Sequence, residues 1–270
     1  MSFEAINLKA DIGAEVRSEV ESLLTPATGK ALRELLVNRG VLIFKQLGLT
    51  DEQQVQLAGY MGEVRNEGEK GIYKISIDKK TNARGDYLKG SFLWHMDGTH
   101  DSVPVFGALL TGLKLSRVGG QTEFANSYAA YEALSSEMKE RIEDLRVVHS
   151  VETSMRTAGI EATQDNLDYW RSIPDRTHKL VWTHKSGRKS LVIGCHADHI
   201  EGMDLEEGRA LLKELLAWTT QSNFVYRHEW SVGDLLIWDN TGVLHRAEPY
   251  PMDSGREMHR TTLVGEEAFS

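Results

Sequence analysis

Apolar residues along this chain follow two rhythms, and the shorter one dominates. Compact runs of β-branched and aromatic residues, bounded by glycine or polar turns, predict strands at 41–44, 106–114, 180–183, 191–194, 224–230, 234–238 and 260–264. Helical spacing is rarer. Residues 27–38 place Leu32, Leu35 and Leu36 on one face and stop at Gly40, and Thr50-Asp51-Glu52 opens a second helix ending near Gly62. Asn126 or Ser127 caps a third, carried by Ala130, Leu134, Met138, Ile142 and Leu145, and Asp204 caps a fourth over 205–218.

Two stretches follow neither rhythm. Residues 66–90 are charged and glycine-punctuated around one predicted strand at 72–77, and residues 153–177 are polar without a period. Both read as lid-like insertions. No repeat, Pro-rich linker or low-complexity tract interrupts residues 1–270, so a single domain is expected. Many short strands with few helices favour an antiparallel barrel or jelly roll over a parallel sheet. The expected class is mainly β with added helices (α+β).

Composition removes several alternatives. A net charge of -9 without basic clusters argues against a nucleic-acid or anionic-membrane partner. No apolar run approaches the roughly 18 residues that span a bilayer, and the N-terminal residues lack the pattern of a secretory signal. The single cysteine, Cys195, rules out an internal disulfide and fits a reducing compartment. A cytoplasmic protein acting on small molecules is the expectation.

The candidate chemistry starts from histidine–acid pairs two residues apart, which point to one side of an extended backbone. Ten histidines and forty acids in 270 residues yield about one or two such pairs by chance, and the chain has three: His95/Asp97, His196/Asp198 and His199/Glu201. The first lies where an apolar segment, read as a strand, runs into a turn at Gly98; His245 follows the apolar run 235–238 and its own turn. Two imidazoles and a carboxylate can cover one face of a ferrous ion and leave the other open to a ketoacid and dioxygen. The same donors suit a Zn-dependent hydrolase or a non-catalytic metal-binding barrel. Neither alternative gives a reason for Thr122, Arg256 and Arg260. His149, His178, His184, His228 and His259 read as strand-face residues, and Cys195 lacks the paired base of a catalytic thiol.

The motifs resemble the iron(II)- and 2-oxoglutarate-dependent dioxygenase family that includes taurine dioxygenase and 2,4-dichlorophenoxyacetate dioxygenase. The matching segments are Trp94-His-Met-Asp97, Gly119-Gly-Gln-Thr122, Phe124-Ala-Asn126, residues 128–134, residues 233–240, His245 and Met258-His-Arg-Thr-Thr262. The resemblance implies a double-stranded β-helix (jelly-roll) core with Fe(II) held by His95, Asp97 and His245. It implies that Thr122 and Arg256 bind the far carboxylate of the co-substrate 2-oxoglutarate. Arg260 would then face an anionic group on the primary substrate, with His196 a second donor. Asp97 speaks against halogenation, because halogenating relatives replace that carboxylate. A taurine enzyme would want a histidine near Asn66, and none is there. The implied reaction hydroxylates a C–H bond and releases succinate and CO2. An aryloxyalkanoate-like carboxylate is favoured over an alkylsulfonate or alkylsulfate. Relatives commonly self-associate, so a homo-oligomer is also implied.

Charge counting leads to a similar place without the family. Fe(II), one carboxylate, a 2-oxoglutarate dianion and one guanidinium sum to zero. A second arginine is then a surplus cation, costly to bury unless a substrate anion pairs with it.

Overall fold

A computed structural model of the chain describes residues 3–76 and 85–269. Its largest sheet has seven strands in the order β1 (Glu4–Asn7), β2 (Ala14–Arg17), β3 (Val41–Phe44), β13 (Leu235–Asp239), β5 (Gly107–Lys114), β15 (Glu257–Leu263) and β4 (Tyr73–Ile75). All pairs in it are antiparallel except β2 with β3. A smaller sheet holds β12 (Val225–His228), β6 (Thr122–Asn126) and β14 (Val243–Ala247). Two further ladders join β11 (Ala197–Ile200), β7 (Arg146–His149) and β8 (Arg176–Lys179), and pair β10 (Lys189–Leu191) with β9 (Val181–Thr183). The described helices are α1 (Val20–Leu23), α2 (Pro26–Arg39), α3 (Asp51–Met61), α4 (Ser127–Glu132), α5 (Ser136–Ile142), α6 (Val151–Thr157), α7 (Gln164–Ser172) and α8 (Leu205–Thr219).

Side-chain alternation explains why the two main sheets pack. Val41 and Ile43, Ala108 and Leu110, and Leu236 and Trp238 form one core with Phe124 and Val243 of the smaller sheet. The residues between them, Leu42, Phe44, Leu109, Leu235 and Ile237, face the other way and pack with Leu32, Leu36 and Leu57 of α2 and α3. Strands β3 and β13 are therefore buried on both faces, which is why they read as continuous apolar runs. Ala125 and Leu244 leave the smaller sheet's outer face toward Leu211 and Leu215 of α8.

Local signals place the first helices where the sequence expects them. Thr25 accepts the Thr28 N–H, Thr50 and Gln53 form a reciprocal capping box, and Gly40 closes α2 at φ 72°. Three expectations need correction. The helix predicted from 126 to 145 is two helices, because the Ser135 hydroxyl accepts the Met138 N–H and starts α5 afresh. Residues 153–177, in which no period is visible, nevertheless hold much of α6 and all of α7, at seven and nine residues too short for a period to show. The segment before His95 is a 3-10 helix, Gly85–Phe92, rather than a strand; Ser91 Oγ donates to the Leu88 carbonyl at 2.6 Å and closes the turn. Of the strand predicted at 72–77, residues 73–75 form β4, and residues 77–84 of the first insertion lie outside the described residues.

Candidate active site

The pattern that builds the core also aims the site. On β14, Val243 points between the sheets, so His245 does too; on β15, Met258 places Arg260 on the inner face; on β6, Phe124 places Thr122 there. All three line one cavity of about 290 Å³, together with His95, Asp97, His196 and Arg256. The seven residues given a site role in the sequence thus reach a single cavity, whereas Asp198, His199 and Glu201 of the other two histidine–acid pairs do not line it.

His95 and His245 are cross-strand partners. The His95 N–H donates to the His245 carbonyl at 3.1 Å and the His245 N–H donates back at 2.9 Å. Such a pair holds its two side chains on one face, and the ring centroids are 4.2 Å apart. Asp97, two residues on, turns to the same side. Its carboxylate oxygens lie 3.6 Å from His95 Nε2 and 3.8 Å from His245 Nε2, and one ligand atom from each residue fits within 4.8 Å of the others. His95 Nδ1 sits 2.8 Å from the Leu93 carbonyl. That contact suits a proton on Nδ1, and Nε2 is the ring atom nearer Asp97.

The charges suit a cation. Burial works against ionising Asp97, but Arg260, His245, His95 and His196 hold its carboxyl well below the usual carboxylate range. Burial pushes His245 down to about 3, so the ring is a neutral donor at ordinary pH. A carboxylate and two imidazoles, the former ionised and one of the latter held neutral, match the protonation states that a ferrous ion needs.

One residue with no role in the sequence reading positions this group. Asn240, fully buried, accepts the Asp97 N–H at 2.9 Å and donates to the Asp97 carbonyl at 2.9 Å and the Val105 carbonyl at 3.0 Å. Its clue was the motif at 233–240, which carried no mechanism in the sequence.

The two arginines sit differently. Arg256 is buried, donates through Nη2 to the Gly120 carbonyl at 3.1 Å, and lies 4.7 Å over the Tyr250 ring. Among the described residues it has no carboxylate partner, and burial pulls it below the usual arginine value. Gly120 permits this approach: with φ 81°, it leaves a space where a Cβ would meet Arg256 Nε at 3.1 Å. Thr122 lines the cavity, and its hydroxyl accepts the Trp230 indole N–H at 2.9 Å. Neither Glu248 nor Glu257 takes either arginine, since Glu248 pairs with Arg227 and Glu257 with Lys114. Arg260, however, is not a surplus cation: Asp97 lies 3.3 Å away and Glu67 3.6 Å. Charge counting from sequence missed Glu67 because it belongs to the first insertion.

His196 lines the cavity with its ring edge-on to His100 at 5.0 Å. Burial, aided by His100 and His95, pushes it down to about 3, which leaves a neutral hydrogen-bonding ring. Burial pushes the Cys195 thiol up to about 12, so it is no nucleophile. The outer wall comes from both insertions: Tyr87, Leu88 and Ser91 from the 3-10 helix, Ser154 and Met155 from α6. Tyr87 ties the two together by donating to Asn166 of α7 at 2.8 Å.

Residues 4–262 match the family described as taurine catabolism dioxygenase TauD, TfdA. The chain belongs to this family. It is 34% identical, over 91% of its length and 89% of the relative's, to an alpha-ketoglutarate-dependent 2,4-dichlorophenoxyacetate dioxygenase of Burkholderia sp. (strain RASC). It is 32% identical to an (S)-phenoxypropionate/alpha-ketoglutarate-dioxygenase of Sphingobium herbicidovorans, over 99% and 96% of the two chains. The solved structure of AAD-2 in complex with Mn(II) and N-oxalylglycine superposes with a TM-score of 0.86 at 33% identity and covers both chains completely. The TauD/TfdA chain is therefore a 2-oxoglutarate-dependent non-haem iron dioxygenase on a jelly-roll core, using Fe(II) and O2 on a small-molecule substrate. Membership removes the zinc hydrolase and the passive metal binder from consideration. Among the described residues, no helix is long and apolar enough to cross a membrane.

Proposed function

We propose that the whole chain acts as one catalytic domain that hydroxylates the carbon bearing the ether oxygen of an aryloxyalkanoate-like carboxylate. The observation that carries this reading is one cavity lined both by polar, cationic and metal-binding side chains and by Tyr73, Ile75, Leu88 and Met155. The latter suit an aryl ring, while the former suit carboxylates. The relatives named for 2,4-dichlorophenoxyacetate and (S)-phenoxypropionate support the same substrate class.

In this reading His95, Asp97 and His245 hold Fe(II), which when bound couples oxidative decarboxylation of 2-oxoglutarate to hydroxylation of a C–H bond. Arg256 and the Thr122 hydroxyl receive the far carboxylate of 2-oxoglutarate. Arg256 offers a desolvated guanidinium with no carboxylate partner among the described residues, which a carboxylate can engage by two parallel hydrogen bonds. Arg260 faces the substrate carboxylate, and neutral His196 adds one donor. The insertions at 66–90 and 153–177 exclude water, positioning one C–H bond while the reaction runs. Hydroxylation beside an ether oxygen gives a hemiacetal, which falls apart to a phenol and an oxoacid. A cytoplasmic location with no nucleic-acid or membrane partner completes the proposal, supported by the single cysteine and the charge of -9; a homo-oligomer rests on the family resemblance alone.

The test is succinate release with Fe(II) and 2-oxoglutarate against aryloxyalkanoates, alkylsulfonates and alkylsulfates. Stoichiometric phenol and succinate from an aryloxyalkanoate is the expected result. Turnover confined to sulfonates or sulfate esters would transfer the assignment to that branch.

A further inference from the structure

Arg260 is held between two carboxylates, and only one belongs to the metal-binding group. Nη1 lies 3.3 Å from Asp97 and Nη2 3.6 Å from Glu67, while Nε is buried with no partner among the described residues. Glu67 is placed there by the backbone. Residues 63–65 run antiparallel to the end of β15, the Arg65 N–H donating to the Thr262 carbonyl at 2.8 Å and the Val264 N–H to the Glu63 carbonyl at 2.8 Å. The Thr262 hydroxyl then donates to the Glu67 carboxylate. Directly after it the chain turns at Gly68, φ +62°, where any Cβ would lie 1.9 Å from the Ile72 carbonyl oxygen. Only glycine permits the turn that presents Glu67 to Arg260.

This carboxylate changes the electrostatic balance of the loaded site. Ferrous iron, the 2-oxoglutarate dianion, Asp97, Arg256, Arg260 and Glu67 together sum to zero before any substrate arrives. An anionic substrate then brings one excess negative charge beside largely covered side chains, where charge is less screened than in bulk water. Both side chains of the Arg260–Glu67 pair are about four-fifths covered, with 23% and 20% of their surface exposed.

We propose that Glu67 sets the charge selectivity of the substrate subsite, its carboxylate competing with the substrate's anionic group for Arg260. The inference rests on Arg260 facing the primary substrate. Glu67 acts through Arg260 and is a positioning residue. An anion that binds must draw Arg260 away from Glu67, whereas an uncharged isostere with the same acceptor geometry need not.

The decisive measurement is calorimetric binding to the anaerobic Fe(II)- and 2-oxoglutarate-loaded protein. The probes are 2,4-dichlorophenoxyacetate with its primary amide, and hexyl sulfate with hexan-1-ol. Glu67→Gln should tighten binding of the anions that bind by roughly three- to fivefold, in the range of a partly exposed ion pair, and leave the neutral partners within about 1.5-fold. Glu67→Asp keeps the charge and should restore most of the wild-type anion-to-neutral ratio. Thr262→Val loosens Glu67 without changing any charge and should give a smaller gain of the same sign. The gain should shrink as salt rises, and in air it should appear in KM with kcat unchanged. Equal effects on anion and neutral probe, weaker anion binding, or no anion binding to either protein would each overturn the role of Glu67. If dichlorophenoxyacetate fails to bind while hexyl sulfate shows the charge-selective gain, the aryloxyalkanoate assignment falls and Glu67 keeps its role.

Discussion

Arg256 and Arg260 stand four residues apart at one cavity, yet their surroundings are opposite. Arg256 is sealed against Tyr250 and the Gly120 carbonyl, with no carboxylate partner among the described residues. Arg260 is more open and touches two carboxylates. A desolvated guanidinium without an acid is unfavourable until a ligand supplies one, which makes a fixed, strong site for an obligatory co-substrate. A guanidinium already paired attracts an anion less and discriminates more. The contrast shows how one residue type provides both a permanent anchor and an adjustable one.

The largest perturbation removes what both ends serve. Asp97→Ala should abolish succinate release, a loss of at least about 10³-fold, because metal chemistry is worth several kcal/mol; iron retained after gel filtration, by elemental analysis, should fall with it. Activity near wild type in that variant would end the metal assignment. Next in size, Arg256→Gln should raise KM for 2-oxoglutarate at least about 10²-fold, since breaking a buried charge pair costs about 3–5 kcal/mol. Its KM for the primary substrate should barely move. Arg260→Gln should reverse the pattern at smaller scale, with roughly a tenfold rise in substrate KM and near-normal KM for 2-oxoglutarate. If the two variants raised the same KM, the division of labour between the arginines would be wrong. The smallest effect is expected from Trp230→Phe, which deletes the indole N–H that orients Thr122. One neutral hydrogen bond is worth about 1 kcal/mol, so KM for 2-oxoglutarate should rise roughly three- to fivefold. A rise in substrate KM instead would move Thr122 to the other end.

Legibility from sequence differed in the same way between the two ends. His95, Asp97 and His245 could be selected from their donor types, their spacing and the turns that follow apolar runs, and Thr122 and Arg256 from their matched positions in the family's motifs. Glu67 could not, because its placement depends on residues 63–67 lying along β15, a contact across nearly 200 residues of chain. Asn240 was visible as part of a motif, but its function depends on Asp97 and Val105 arriving beside it. The break at Ser135 and the start of α7, where Thr163 accepts the Asn166 N–H, turned on single hydroxyl–backbone hydrogen bonds, which carry no periodic signal.

By itself the sequence determined which residues face inward and which chemistry they carry, because alternation and spacing are local properties of the chain. It also determined the helix stops at Gly40 and the capping at Thr50. Only the tertiary structure decided that the two ligand histidines are hydrogen-bonded neighbours, that Asn240 clamps Asp97, and that Arg260 meets Glu67. Each of those is a distance between residues far apart in the chain, and such distances exist only once the sheets have packed.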